Sequence, residues 1–475
     1  MLGLFGTLNV ATRALSTQRQ GTEVAGHNLA NVNNPAYARQ RIEVSTSLPI
    51  PGGLGPQGTG VEATGIRQLR SDVLDRQVIV ETSVQGSLEA QQRALEYAQA
   101  NLGQTLDRQA TGAAGAAAAG GVGGQNGLAE NLNAFFNSLQ GLSTQPTSMS
   151  ERQALVIKAQ DLTTQFQQVS RRLGDVDTLL NQSLASDVET ANGLLGDIAK
   201  INEQILSVEG TGAVANDLRD IRLQRFEDLA KLGQVTLIEA PGGSVDVAMG
   251  GVRLTQADRV IEQLEVFDPG DGRLQVRAVG GGGALDMGGG SIQGTLEARD
   301  GALATLRQSL DQLAGSLMGE FNALYSAGYD LRGGTGGLFF EGTDASNIRL
   351  AAGLVEDPAL IQASGDPAAV GNNEVVLSLA RLAEKPLVAL GGQTLGQHYG
   401  QTVARLGQSL ASVNTQLDNQ TVVGELLARQ RDAVSGVSLD EEMTDLIRYQ
   451  RAFEASARMV RLVDDMLETV MNMKR

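Results

Sequence analysis

Leu4, Leu8, Ala11, Leu15, Gln18, Thr22, Ala25 and Leu29 follow one another at alternating steps of four and three residues. On a helix that spacing draws a single stripe, as in the seam of a coiled coil. An amphipathic helix packed on its own domain would show the same stripe. The predicted helix is ~39 Å long at ~1.5 Å per residue. The last forty residues behave alike: Met443, Leu446, Gln450, Phe453, Ala457 and Val460 keep the heptad, and Val463, Leu467 and Val470 continue it after one shorter step. Ser438 stands where an N-cap belongs and Glu441 three residues later, which predicts a capping box. Asp440, Glu441 and Glu442 in the first turn, with Lys474 and Arg475 at the end, suit the helix macrodipole. Each stripe has to be covered, and packing the two helices on each other is the simplest cover. A two-helix core is thin, so the pair is expected to need neighbouring copies.

Between these ends the period changes several times. RIEVSTS and VEATGIRQL alternate like strands around a Pro/Gly-rich loop, predicting a long-looped β-hairpin within about 41–81. Leu88, Leu95 and Leu102 mark another helix. Ala110–Gly127 is a low-complexity loop whose glycines follow no strand and precede no Lys-Ser/Thr, so they form no phosphate cradle. Leu162, Phe166, Val169, Leu173, Val176 and Leu180, continued by Leu184, Val188, Ala191, Leu195, Ile198 and Ile205, predict one very long helix. Asn216–Leu232 reads as its partner, ended by Gly233. Residues 234–294 then alternate in short β-rich runs separated by PGG, DPGDG and GGGG, and helical stripes return over Leu296–Leu324, near Val375 and from Val403 onward.

The predicted fold is mainly α with a β-rich insertion. Residues 1–40 and 436–475 form a terminal helical pair at one pole, 41–233 and 295–435 a helical shaft, and 234–294 a small β domain at the other pole. Such an elongated hairpin of a chain suits stacking.

Composition narrows the function. The chain has 475 residues and a formal net charge of -17. With no basic run longer than two residues, neither nucleic acid nor an anionic membrane is an expected partner. There is no cysteine, which removes disulfides, thiol catalysis and thiolate metal sites. Aromatics make up 3% of the chain, so aliphatic helix–helix seams should carry the core. The first residues lack a basic n-region, an unbroken apolar stretch and a cleavage site, so an ordinary cleaved signal is not expected. No run approaches the roughly 20 apolar residues of a membrane span.

Candidate chemistry is sparse. The two histidines, His27 and His398, offer a weak basis for a metal site, and no G-x-S-x-G accompanies them. DPGDG lacks the remaining ligands of a calcium loop and reads as a turn. The clustered Asp440, Glu441 and Glu442 are explained by their place in a first helical turn. No catalytic residue, cofactor or metal is expected. Carboxylate-only glycoside hydrolysis would need aromatic sugar platforms that this chain barely has.

The stretch His27–Gln40, HNLANVNNPAYARQ, ends the first stripe with four asparagines and a proline. Asn28, Asn31, Pro35, Tyr37, Arg39 and Gln40 resemble the N-terminal signature of the bacterial flagellar axial proteins, the rod, hook and hook-associated group. SGVSLDEEMTDLIRYQRAFEASARMV is similar to the C-terminal signature of the same group. The trailing Arg39-Gln40, the SGVSLDEE opening, the chain length and the AGYDLRG and GGLFFEG segments point to its hook-associated members, with the hook or distal rod subunits as the alternative. Asn34, Ala36 and Ala38 depart from the Thr, Gly and Ser usual there; glycine in place of Ala36 would permit a positive φ.

The resemblance implies a structural subunit of the extracellular flagellum at the hook–filament junction, cytoplasmic before export. It implies hook protein, a second junction protein and copies of itself as partners, export by the type III apparatus, and a cytoplasmic chaperone on the C-terminal helix. It also implies termini that fold into a coiled-coil-like rod on assembly. Asn28 and Asn31 would then cap backbone groups, Pro35 stop the helix and Tyr37 anchor the exit.

Overall fold

The computed structural model describes residues 3–52, 55–102 and 127–473. The low-complexity stretch, but for Gly127, and the basic pair Lys474 and Arg475 lie outside the described residues. Helix α1 (Leu4–Ala30) leads into a long hairpin of β1 (Gln40–Thr46), β2 (Ile50–Gly52), β3 (Gly55–Gln57) and β4 (Val61–Gln68). β1 pairs antiparallel with β4, Gln40 opposite Gln68, with a bulge at Glu43/Val44 that bends the ribbon. The hairpin ends earlier than its sequence range suggested, because α2 (Asp72–Asn101) already starts at Asp72.

The shaft is built on α4 (Met149–Glu209), 61 residues in one helix and so about 90 Å long. Ser148 caps its start by accepting from the Glu151 amide. Its apolar stripe is fully buried: Leu162, Phe166, Val169 and Leu173 are 0% exposed. Around its first half pack α3 (Leu128–Thr144), the far half of α2 and a returning set of elements. Around its second half packs α5 (Asn216–Ala230) with a small β domain of β5 (Thr236–Glu239), β6 (Val245–Met249), β7 (Val252–Arg253), β8 (Thr255–Gln256), β9 (Arg259–Val260), β10 (Leu264–Phe267) and β11 (Gln275–Ala278). β5, β6 and β7 form one antiparallel sheet, and β8–β9 and β10–β11 are separate hairpins.

The chain returns through α6 (Gly290–Glu297), a π-helical turn over Ala298–Leu303 and α7 (Ala304–Tyr325). At that turn the fully buried Arg299 bonds Asp300, Asn181 of α4 and the Leu274 carbonyl, tying helix, shaft and β domain together. A two-stranded piece, β12 (Phe340–Glu341) with β13 (Arg349–Leu350), follows, then α8 (Ala352–Glu356) and α9 (Glu374–Arg381). The last two helices are α10 (Leu395–Ser435), whose Thr394 and Gln397 make a capping box, and α11 (Leu439–Asn472).

Two expectations are revised. Aliphatic seams do not carry the core alone: Phe135, Phe321, Tyr325, Phe339 and Phe340 form one contiguous cluster, with Phe321 and Phe339 centroids 4.7 Å apart. The β domain is not at the pole opposite the terminal helices. Asn181, Asn192 and Asn202 of α4 bond Gly272, Leu264 and Val245 of the insertion, so it lies along the half of α4 nearer the chain ends. The far pole is made by α3, α9 and the segments around Pro358–Ile361, whose carbonyls receive the buried Arg152.

Candidate functional site

α1 and α11 run antiparallel. Asn28 meets Glu442 at one end, and Gly21 meets Tyr449 two turns along. Gly21 is required by that approach: a Cβ there would stand 2.7 Å from the Tyr449 ring. The other flank of α1 is covered by the hairpin, where Arg13 pairs with Glu62 at 3.0 Å and Val10 meets Gly60.

The helix exit is a polar knot. Asn28 is 1% exposed and fills its whole hydrogen-bonding capacity. Its amide nitrogen donates to the Gln40 carbonyl at 2.8 Å and to Glu442 Oε2 at 2.9 Å. Its oxygen accepts from the Tyr37 hydroxyl at 2.7 Å and the Gln40 amide at 2.9 Å. One side chain thus holds the end of α1, the start of β1 and the start of α11. Arg39 completes the clamp: Nε lies 2.7 Å from Glu442 Oε1, Nη1 lies 2.5 Å from Glu441, and its backbone amide donates to the Ser435 carbonyl at the end of α10. Such charge-assisted contacts are the stronger kind.

The knot also grips the shaft. Gln40 donates to Asp217 and the Ala38 amide to Asp220, both on the first turns of α5. Asp220 also accepts from Gln68 and Arg70. Burial pushes the Asp220 carboxyl up to about 6, although Arg70 beside it pulls the other way. Burial, helped by Asp217, Asp220 and Glu442, pushes the Tyr37 hydroxyl well above the ordinary tyrosine range. Both groups therefore hold their protons more firmly than in water.

The individual sequence expectations fall out unevenly. Ser438 does precede α11, but no capping box forms, since its side chain caps nothing and Glu441 reaches Arg39 instead. The acidic start of α11 is the receptor for Asn28 and Arg39, beyond any macrodipole effect. Asn31 bonds the His27 carbonyl, Pro35 is exposed, and Tyr37 is buried edge-on to His27 with centroids 5.4 Å apart. Ala36 needs no positive φ; among the described residues Ala257 is the one non-glycine that takes it.

Of the N-terminal stripe, Ala11 and Ala25 are buried, while Leu4, Leu8, Leu15, Gln18, Thr22 and Leu29 are half-buried. The fully closed line is Thr17, Gly21, Val24 and Asn28, one position earlier, because α1 is covered by both α11 and the hairpin. Of the C-terminal stripe, Val463 is buried and Leu446, Ala457, Val460 and Leu467 are half-buried. Met443, Gln450, Phe453 and Val470 are exposed. Tyr449, which packs on Gly21, was not singled out, and Glu442, which bonds Asn28, was read only as a first-turn charge; a mid-helix glycine such as Gly21 is the signal that asks for a large partner.

Among the described residues no group of histidine, aspartate or glutamate is placed to hold a metal ion, and no helix is long and apolar enough to cross a membrane. What the geometry defines is a structural subunit: a densely packed shaft to which a thin helix pair is locked at one end, with apolar surface left over.

The comparisons with known proteins agree. Residues 121–340 match the family model of the flagellar hook-associated protein FlgK helical domain, and 430–473 match that of the flagellar basal body rod FlgEFG protein C-terminal region. The chain is 26% identical to flagellar hook-associated protein 1 of Bacillus subtilis, over 99% of both chains, and 24% identical to that of Escherichia coli, over 98% and 99%. Its fold is similar to the solved flagellar hook junction protein FlgK from Burkholderia pseudomallei, with a TM-score of 0.64 at 15% identity, covering 76% of this chain and all of that one. The chain is thus similar over nearly its whole length to flagellar hook-associated protein 1 of other bacteria, which supports a structural role in the bacterial flagellum.

Proposed function

We propose that this chain is the subunit that joins hook to filament, and that it polymerises through the α1–α11 pair. The observation that carries this is the split character of α11. Glu442 bonds Asn28 and Tyr449 packs on Gly21 of α1, and Val463 is buried. Around these contacts α11 leaves Met443, Ile447, Phe453, Met459, Leu462, Met466 and Val470 each 39–54% exposed. This much exposed apolar surface on a charged, acidic chain calls for a partner. Hook protein below, a second junction protein above and copies of this chain beside it are the occupants we assign. The subunit is exported by the flagellar type III apparatus to the extracellular flagellum, with a chaperone on α11 in the cytoplasm beforehand. It is not an enzyme.

A second reading, a rod or hook subunit, is favoured by the match of 430–473 to the rod C-terminal model. Deleting the gene separates the two. Finished hooks without filaments, with flagellin lost to the medium, are the expected result. Missing or truncated hooks would move the protein down the axis, and normal filaments would end both readings.

A further inference from the structure

α1, the hairpin and α11 form one unit, and the shaft forms another. Two stretches of backbone cross between them: 69–71, from β4 into α2, and 436–438, from α10 into α11. Arg39 ties the two crossings together. Its amide donates to the Ser435 carbonyl and its carbonyl accepts from the Leu69 amide, each at 2.8 Å. Gly436 stands at the second crossing, where a Cβ would lie 2.4 Å from the Asp432 carbonyl oxygen. A larger residue would force that turn open.

What holds the two units face to face is polar. Among the described residues, no buried apolar cluster of the shaft includes a residue of α1, the hairpin or α11. The contact is a foot of two glutamines, Gln40 and Gln68, opposite one another at the base of the hairpin. Gln40 Nε2 donates to Asp217 Oδ1 at 2.7 Å, and Gln68 Nε2 donates to Asp220 Oδ1 and to the Asn216 carbonyl, both at 2.8 Å. The Asn216 side chain donates back to the Ile66 carbonyl, the Ala38 amide donates to Asp220 Oδ2, and His27 stands 3.8 Å from Asp217. All these shaft partners lie in the first five residues of α5. Beside the foot a cleft of about 770 Å³ lies open between β4 and the wall made by α2, α5 and β5. Hydrogen bonds of this kind are exchanged for bonds to water when the surfaces part, so separation costs little, whereas opening either core exposes apolar surface. Arg70, on the first crossing, pairs with both Asp220 and Asp75 of α2, so the buried Asp220 keeps a counter-charge when the foot lifts.

We infer that α1, the hairpin and α11 swing as one body about the crossing at Arg39, and that the glutamine foot on the first turn of α5 is the latch that sets their angle to the shaft. The cleft beside β4 is the space the hairpin moves through. Inside the swinging unit the Asn28 and Arg39 bonds to α11 stay made, and inside the shaft the α4 core stays closed; only the latch bonds and the cleft walls change. One shaft thereby presents its terminal pair to neighbours at more than one angle. The inference is independent of where in the flagellum the subunit sits.

The test uses the full chain, which has no cysteine of its own. Ser207→Cys on α4 and Ala455→Cys on α11, both exposed positions, carry one spin label on each unit, and pulsed electron double resonance reads the distance between them. The parent is expected to give one narrow distance. Asp217→Ala combined with Asp220→Ala should widen the distribution about twofold or more. Gln40→Ala combined with Gln68→Ala removes the glutamine bonds from the hairpin side and should widen it as well. That second pair spares the shaft and the backbone bonds of Gln40 to Asn28, and covers the case in which the first pair disturbs α5. Hydrogen exchange separates a swing from unfolding: amides of α1, α11 and α4 should keep the parent's protection in the glutamine variant. A distribution already broad in the parent, one unchanged in the glutamine variant, or widening accompanied by lost protection in α1 and α11 would overturn the hinge.

Discussion

The far half of the shaft and the terminal helix pair are both helical, yet they are stabilised in opposite ways. In the shaft, α4 buries an unbroken aliphatic stripe, and the aromatic cluster of Phe135, Phe321, Phe339 and Phe340 is at most 1% exposed. In the pair, α11 buries only Glu442 and Val463 of its 34 residues. Its hold comes from Asn28 and Arg39 at one end. The shaft is finished as a single chain, while the pair is fixed in position but left short of apolar cover. Under the junction reading, a subunit made this way leaves the stability of its terminal pair to its neighbours.

The comparison can be broken most forcefully in the shaft. Phe135→Ala removes the ring that touches Phe136, Phe321, Phe339 and Phe340, and a cost of about 3–5 kcal/mol is expected in urea unfolding followed by circular dichroism. A loss below 1 kcal/mol would mean that the cluster does not hold the far pole.

The polar knot gives the next largest effect. Asp220 holds its proton to about 6, against 3.8 for an ordinary aspartate, a gap of up to about 3 kcal/mol. The folded state binds the extra proton, so this stability is fully present below about pH 4 and is lost as pH rises through 6. Asp220→Asn should flatten that part of the stability–pH curve between pH 4 and 6. An unchanged slope would assign it to other carboxyls.

Asn28→Ala leaves the Tyr37 hydroxyl, the Gln40 amide and Glu442 without their shared partner. About 2 kcal/mol of local stability should go. Hydrogen exchange is the right readout, since amides of α1 and α11 should speed up while those of α4 stay protected. Acceleration in both regions would show that the knot supports the shaft as well. The smallest effect is expected from Met466→Ser on the open face of α11, within about 0.5 kcal/mol for the isolated chain. Under the junction reading the same change should impair filament attachment in cells, and normal motility would argue against that face as an assembly surface.

The sequence by itself determined what depends on local period. The long stripe through Leu162 and Leu180, the two terminal helices, the hairpin strands and the short β-rich runs were all legible, because side-chain repeats of 3.6 and 2 residues state which face is buried. The family signature was legible in the same way, as a string of residues. What the tertiary structure decided depends on partners far apart in the chain. Asn28 reads as a helix breaker until Gln40 and Glu442, the latter 414 residues away, close around it. The acidic start of α11 reads as macrodipole chemistry until Arg39 arrives. The helical faces were misplaced by a residue because a heptad count assumes one covering partner, and α1 has two. The β domain could not be located because nothing local says which end of a 61-residue helix an insertion will cover.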